Sequence, residues 1–141
     1  MRTTTRCEDC GGALVRDTGQ FIDSGQLWWG SEGSCRSCPA AWCDEDSGPV
    51  TPEHIRQALL AAHGPVRLRL AGPPGSGLVP VLRALREVHG LSLVQARAMA
   101  DELRTVGLTG TLVEMEFLAA GLRRRSVMAT VDPEAVEPAA D

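Results

Sequence analysis

The stretch LVPVLRALREVHGLSLVQAR, from Leu78 to Arg97, decides how the second half of this chain is expected to fold. It predicts two amphipathic helices joined by a tight turn at Gly90, because glycine readily takes the positive φ with which many helices end. Ser92 and Gln95 have the spacing of a capping box, which predicts the start of the second helix. Apolar residues at helical spacing predict the buried side of the pair: Leu78, Val81, Leu82, Leu85 and Val88 on the first helix, and Leu93, Ala96, Ala100 and Leu103 on the second.

Strand patterns flank this helix pair and predict a β-α-α-β-α-β order over residues 65–131. Residues 66–70 alternate between apolar residues and arginine, which is typical of a strand with one buried face. Residues 106–110 predict a short second strand or an extended loop, and residues 127–131 predict a closing strand. The order of elements follows from periodicity and caps alone.

A second capping box, formed by Thr111 and Glu114, predicts the start of a third helix in this region. The helix is expected to run to about Arg125, with an inward face that consists of Met115, Leu118 and Leu122. The run from Arg123 to Arg125 then lies at its C-terminal end, where the helix dipole favours positive charge. A binding patch is the alternative interpretation of these three arginines.

The helix pair resembles the helix-turn-helix of the C-terminal domain of the bacterial ribosomal stalk protein, the acidic stalk protein of the large subunit. The family's pattern matches at Val79, Val81, Arg83, Arg86, Gly90, Leu91, Leu93, Ala96 and Arg97. A weaker similarity extends from about residue 66 to residue 131. The resemblance implies an α+β domain in which three helices cover one face of a three-stranded antiparallel sheet.

The same resemblance implies a role in protein binding, since the stalk domain binds translational GTPases through its helix pair. The implied partner-binding residues are Val79, Leu82, Arg83, Arg86, Gly90, Leu91 and Arg97. Arginines around an exposed apolar spot suit an acidic groove on a partner. In the alternative interpretation the apolar members are core residues and the arginines only solubilise the surface. Association with the ribosome is a further implication.

Two CxxC pairs, Cys7 with Cys10 and Cys35 with Cys38, lie in the first 43 residues. Each pair can form a tight turn that points two thiolates at one ion, so the spacing predicts a tetrahedral four-sulfur zinc site. Residues 1–43 therefore resemble a zinc ribbon. Two disulfides in a secreted mini-domain are the alternative, but the N-terminal sequence lacks an apolar signal region and predicts a cytoplasmic protein with reduced thiols.

The zinc is expected to be structural, because the three histidines lie at positions 54, 63 and 89, outside the ribbon, and a catalytic site usually has histidine or carboxylate ligands. A fifth cysteine, Cys43, is interpreted as a free thiol. The spacing also allows Cys43 to replace Cys38 as a ligand. An enzyme has little support in the sequence, because no paired catalytic carboxylates lie in an apolar setting.

Short strands are predicted at residues 13–16 and 26–29, with turns at Gly19 and Gly25. The adjacent Trp28 and Trp29 must point to opposite faces of their strand. One of them is expected in the core. The other either covers the edge of the ribbon or serves as an exposed contact residue.

Residues 44–64 are expected to form an acidic linker and a connecting helix. The acids and breakers of residues 44–49 predict a solvated loop, and Thr51 followed by Pro52 predicts the start of the helix. Its apolar side consists of Ile55, Leu59 and Ala62. Residues 132–141, rich in alanine, proline and acids, predict a disordered tail.

Charge and composition exclude several classes of function. Residues 1–50 carry eight acids and four arginines, which argues against nucleic-acid binding by the ribbon. Residues 65–131 carry nine arginines and five acids, and the chain has no lysine. Residues 72–77, between a strand and a helix, resemble a phosphate-binding loop only in position. That motif requires lysine and then serine or threonine, whereas Leu78 and Val79 follow here, so a turn is predicted.

The sequence therefore predicts a non-enzymatic adaptor that presents a stalk-like surface to a protein partner, with a translation GTPase as the expected class. The alternative is an interaction module unrelated to translation, such as an immunity or regulatory protein. In that case the ribbon and its tryptophans would form the contact surface.

Overall fold

The computed structural model describes residues 1–71 and 77–134 of the chain. It has a mixed α/β fold, with four helices, an antiparallel four-stranded sheet and an antiparallel three-stranded sheet among these residues. The chain divides into two compact units, Met1–Ala62 and His63–Asp141. Most of the predicted turn at residues 72–77 and residues 135–141 of the predicted tail lie outside the described residues.

The first unit contains a four-stranded antiparallel sheet in the order β1-β2-β3-β4. Its elements are β1 (Arg2–Arg6), β2 (Ala13–Asp23), β3 (Gln26–Cys35), β4 (Ala41–Ser47) and the helix α1 (Glu53–His63), whose last residue opens the second unit. Strand follows strand with only short connections, so neighbours in sequence are neighbours in the sheet.

A long hairpin formed by β2 and β3 is the centre of this sheet. Ser24 and Gly25 have φ values of 51° and 73°, so the two-residue turn has the backbone conformation that matches the twist of paired strands. The turn predicted at Gly25 is confirmed. The turn predicted at Gly19 is wrong, because Gly19 pairs with Gly30 inside the hairpin. Both strands are consequently much longer than predicted.

The acidic segment after the ribbon is a strand and not the predicted loop. In β4, Asp44 pairs with Ser31 and Glu45 pairs with Gly30. The segment lies at the edge of the sheet, where exposed charges hinder pairing with another chain. Its acidic composition is therefore compatible with a strand, although composition alone indicates a loop.

An indole ring takes the place of a side chain at Gly33. Gly33 pairs with Trp42 across β3 and β4, and a Cβ atom added at Gly33 would lie only 1.1 Å from Cζ3 of that ring. The guanidinium carbon of Arg16 lies 4.9 Å from the centroid of the same ring, in a cation–π contact. Trp42 thus packs flat against bare backbone.

Trp29 is the core tryptophan of the first unit, together with the buried Leu27. Trp28 lies on the opposite face, is half-buried, and stacks on Phe21 with ring centroids 6.2 Å apart. Thr51 is also buried, and its hydroxyl accepts a hydrogen bond of 2.6 Å from the Gln20 amide. The prediction that one tryptophan is core is confirmed, and the predicted helix follows as α1.

The second unit contains the three-stranded antiparallel sheet, in the order β6-β5-β7. Its elements are β5 (Val66–Leu70), α2 (Leu78–His89), α3 (Leu93–Thr105), β6 (Leu108–Gly110), α4 (Leu112–Arg124) and β7 (Ala129–Pro133). The closing strand lies two residues later than predicted, and it includes Asp132 and Pro133, which the sequence places in the tail.

Local caps set the ends of these helices as predicted. Gly90 has a φ of 64°, and its N–H donates to the Arg86 carbonyl at the end of α2. Ser92 and Gln95 exchange hydrogen bonds of 3.2 and 3.0 Å at the start of α3. The corresponding pair at the start of α4 is Thr111 and Glu114. Each capping box satisfies backbone donors that the helix itself cannot pair.

Aliphatic side chains form the core of the second unit. The largest of its fully buried side chains are Leu68, Val81, Leu85, Leu118 and Leu122. α3 and α4 contact the sheet, and α2 packs mainly on α3 and α4. The inward position predicted for Leu93 is wrong: it is the first residue of α3, one turn before the first buried residue, Ala96, and its side chain is 50% exposed.

Candidate metal centre and helix-pair surface

Four cysteines from the two CxxC pairs meet at one end of the four-stranded sheet. Their sulfur atoms all lie within 4.8 Å of one another, and none forms a disulfide. The Sγ atoms of Cys7 and Cys38 are 3.8 Å apart, and those of Cys10 and Cys35 are 3.4 Å apart. Cys7, Cys10, Cys35 and Cys38 are thus close enough to hold a metal ion, as the spacing predicted.

Backbone hydrogen bonds shape the two cysteine turns in similar ways. The N–H of Cys7 donates to the Gly12 carbonyl at 2.8 Å, and the N–H of Cys35 donates to the Ala40 carbonyl at 2.9 Å. Each pair closes a loop at the end of a strand, so the sheet register brings the two turns together. Strands β2 and β3 pair with Leu14 opposite Cys35, and this register places the turn of Cys35 and Cys38 beside the turn of Cys7 and Cys10.

Backbone donors also point at two of the sulfur atoms. The N–H of Gly12 lies 3.3 Å from Cys10 Sγ, and the N–H of Ser37 lies 3.4 Å from Cys35 Sγ. The Ser37 hydrogen bond lowers the pKa of the Cys35 thiol to about 7. Donors of this kind stabilise thiolates, which are the form of cysteine that binds metal.

The fifth cysteine lies outside this cluster. Cys43 is an exposed residue in the middle of β4, where it pairs with Glu32. Among the described residues, the four clustered cysteines are the one group of at least three metal-binding side chains that lie together. The spacing that allowed Cys43 to replace Cys38 is therefore not used in the structure.

The residues predicted to bind a partner lie on α2, on α3 and in the turn between them. Val79 is 57% exposed, and Arg83, Arg86, Gly90 and Arg97 are exposed as well. Leu91 is half-buried. Leu82 is buried and belongs to the core, so it is the one predicted partner-binding residue that the structure turns away from solvent. We call the exposed set the helix-pair surface.

A shallow depression of about 650 Å³ lies within the helix-pair surface. Arg83, Arg86, Glu87, Gly90, Leu91 and Arg125 line it. The Arg86 Nε–H donates to the Leu91 carbonyl at 3.3 Å, which holds that guanidinium against the turn.

Glu87 and Arg125 are members of the depression that sequence reasoning missed. The Arg125 side chain donates to Glu87 Oε2 through Nε at 3.2 Å and through Nη2 at 2.8 Å. The two residues are 38 positions apart, so no local pattern could pair them. From the sequence, Arg125 was expected to favour the end of its helix, with a binding patch as the alternative interpretation, and neither interpretation pairs it with Glu87.

The ion pair between these residues makes a pH-dependent prediction. The Arg125 hydrogen bonds, together with its positive charge, lower the pKa of the Glu87 carboxyl below its ordinary value of 4.5. Since the folded-state pKa is the lower one, the stabilising contribution is complete above the ordinary value and is lost as pH falls through the folded value. NMR titration of the Glu87 carboxyl carbon should show this low pKa.

The matched variants for that titration are Arg125→Gln and Arg104→Gln. The first should return the Glu87 pKa to the ordinary range, and the second, on the exposed side of α3, should leave it low. A Glu87 pKa that stays low in Arg125→Gln would contradict the ion pair.

Comparisons with protein families, with curated proteins and with solved structures found no match for this chain. In the described part of the chain, no helix combines the length and the apolar character that crossing a membrane requires.

Proposed function

We propose that this chain is a non-enzymatic adaptor that presents the helix-pair surface to a protein partner, with a translation GTPase as the partner class. The observation that carries the proposal is the concentration of exposed arginines beside exposed apolar side chains on one helix pair. Arg83, Arg86 and Arg97 have no acidic partner among residues 1–71 and 77–134. Cations left unpaired beside an apolar spot suit an acidic protein surface.

The architecture of the second unit supports the stalk-like part of this proposal. The helix pair precedes the edge strand β6, and α4 leads into β7, in the order that the resemblance implies. The central strand is β5, and both of its neighbours run antiparallel to it. In this interpretation α2 and α3 correspond to the helix pair through which a stalk domain binds its GTPases.

The ion in the first unit is proposed to be a structural Zn²⁺, and the unit to be a zinc ribbon. With zinc–sulfur bonds of about 2.3 Å, a tetrahedral site separates its sulfurs by about 3.8 Å. The Cys7–Cys38 separation of 3.8 Å matches that value, and the Cys10–Cys35 separation of 3.4 Å is somewhat shorter. Four thiolates leave no coordination position for a substrate, which is why the proposed role of the ion is structural.

Charge reversal on α2 tests the proposed function. In Arg83→Glu with Arg86→Glu, two exposed cations become anions, so an acidic partner is repelled where it was attracted. We expect capture of purified elongation factor by the immobilised chain to fall at least roughly tenfold, because each reversed contact costs about 1 kcal/mol or more. Bio-layer interferometry with the purified proteins measures this directly.

The matched control is Arg69→Glu with Arg104→Glu, which changes the charge equally at exposed residues that do not line the depression. It should bind elongation factor like the unmodified chain. Capture that is unaffected by reversal at Arg83 and Arg86 would remove the proposed site.

A second candidate function places the contact surface on the ribbon. The exposed Phe21 and Ile22 lie at the tip of the β2–β3 hairpin, and Phe21 stacks on Trp28. An apolar hairpin tip of this kind suits an interaction unrelated to translation. In that case Phe21→Ser would abolish partner binding, and reversal of the α2 arginines would have no effect.

A further inference from the structure

The depression on the helix-pair surface draws its charge from two separate helices. Arg83 and Arg86 come from α2, and Arg125 follows the last residue of α4. The Glu87 carboxylate is the only acid that lines it among the described residues. The lining therefore carries an excess of two positive charges, arranged around the backbone of Gly90 and the half-buried Leu91.

Arg125 and Glu87 are held by an interaction that is easily exchanged. The two side chains are 41% and 53% exposed, and such ion pairs contribute little net stability. Both of the Arg125 hydrogen bonds go to one oxygen of Glu87, from Nε and Nη2. An arginine has five N–H donors in a planar fork, so three of them are not engaged by Glu87. A second carboxylate could take these donors or replace Glu87.

We propose that the depression receives carboxylate side chains from an acidic segment of the protein partner, with Arg125 as a specificity-determining residue and Glu87 as its internal competitor. This inference rests on the proposed function and extends it to a third arginine, on a different helix. A partner carboxylate that displaces Glu87 would gain a bidentate contact with the Arg125 fork.

An acidic peptide fits this surface better than a nucleic acid does. A single partner carboxylate can replace Glu87 at Arg125, whereas a nucleic acid would bring a continuous row of phosphates past the Glu87 carboxylate. Leu93 and Val94, in the first turn of α3 after Leu91, are exposed and offer apolar contacts to a peptide side chain. Phosphate binding gains nothing from aliphatic side chains, whereas protein interfaces typically bury them beside arginine.

The test uses a fluorescein-labelled peptide of glutamate and leucine residues, with a matched peptide in which glutamine replaces glutamate. Fluorescence anisotropy at low salt gives the affinity of the full chain for each. Arg125→Gln should weaken binding of the acidic peptide roughly three- to tenfold, and the control Arg104→Gln should not change it. Glu87→Gln should tighten binding, and its control Glu102→Gln should not.

Arg125→Lys serves as the second variant, because it keeps the positive charge but loses the planar set of guanidinium N–H donors. It should bind with an affinity between those of the unmodified chain and Arg125→Gln. Circular dichroism melting curves confirm that each variant is folded. The inference would be overturned if Arg125→Gln bound the acidic peptide as tightly as Arg104→Gln does. It would also be overturned if the chain bound a single-stranded RNA oligonucleotide more tightly than the acidic peptide.

The inference and the proposed function can fail separately. If Arg83→Gln weakens peptide binding and Arg125→Gln does not, the inference is wrong and the α2 surface still stands. If reversal of Arg83 and Arg86 leaves elongation-factor capture unchanged, the proposed function is wrong whatever the peptide does.

Discussion

Removal of a metal held by Cys7, Cys10, Cys35 and Cys38 is expected to unfold residues 1–62 and to leave residues 63–134 folded. The first unit buries few large apolar side chains, chiefly Leu27, Trp29 and Leu59, and so small a core does not stabilise a sheet of this length by itself. Metal binding to four thiolates contributes about 10–16 kcal/mol in small zinc domains, which exceeds the stability of most domains of this size. A metal held by the four cysteines is therefore expected to hold the first unit together.

The sequence supplies a selective optical signal for this experiment. All three tryptophans, at positions 28, 29 and 42, belong to the first unit, and the second unit has none. Treatment with a strong chelator should shift tryptophan emission to longer wavelength while the helical circular dichroism of α2, α3 and α4 persists. Cys7→Ser should have the same effect and lose the metal, as measured by mass spectrometry.

Cys43→Ser is the control for the cysteine variant, because it removes an exposed thiol outside the cluster. It should retain one metal ion per chain and unchanged emission. If complete removal of the metal leaves tryptophan emission as it was, the sheet is stable without an ion and the structural role of the metal is wrong.

Leu118→Ala is expected to destabilise the second unit by about 2–5 kcal/mol, with no effect on the first. Leu118 is fully buried in α4, which contacts all three strands of its sheet and also α2. Loss of its side chain leaves a cavity that tightly packed neighbours cannot fill completely. This packing unites the helices with the sheet, so its loss should reduce the stability of the whole unit.

Urea unfolding followed by circular dichroism measures that loss as a lower midpoint, and tryptophan emission reports the first unit in the same samples. Leu112→Ala is the matched control, since Leu112 lies on the same helix and is 57% exposed. We expect Leu112→Ala to change stability by less than about 0.5 kcal/mol. Equal effects of the two substitutions would contradict the packing of α4 as the core element.

Features that depend on residues close together in sequence could be predicted. The capping boxes at Ser92 and Thr111, the helix end at Gly90 and the two CxxC pairs are all determined within five residues. Local hydrogen bonds and metal-ligand spacing act over this range, so their patterns identify them directly. The buried stripes of α2 and α4 follow from the same local periodicity, which the helix imposes on its side chains.

Features that depend on distant partners could not be predicted. The residues of β4 are acidic, and only pairing with β3 makes them a strand. Gly19 predicts a turn from its sequence alone, but in the structure it pairs with Gly30 inside a hairpin. Arg125 marks a helix end in the sequence, and its ion pair with Glu87 is visible only in the structure. Periodicity also cannot show whether the first turn of an amphipathic helix is covered by neighbouring elements. It therefore predicted Leu93, in the first turn of α3, to be a core residue.

The contact between Gly33 and Trp42 makes two positions share one volume. A methyl group at residue 33 would collide with the indole, and a smaller residue at 42 would leave the backbone of residue 33 bare. Residue 33 is therefore restricted to glycine as long as Trp42 is present, and a larger residue at 33 requires a smaller one at 42. In a redesign of this sheet, the two codons should be randomised jointly, because a library at residue 33 alone will return glycine.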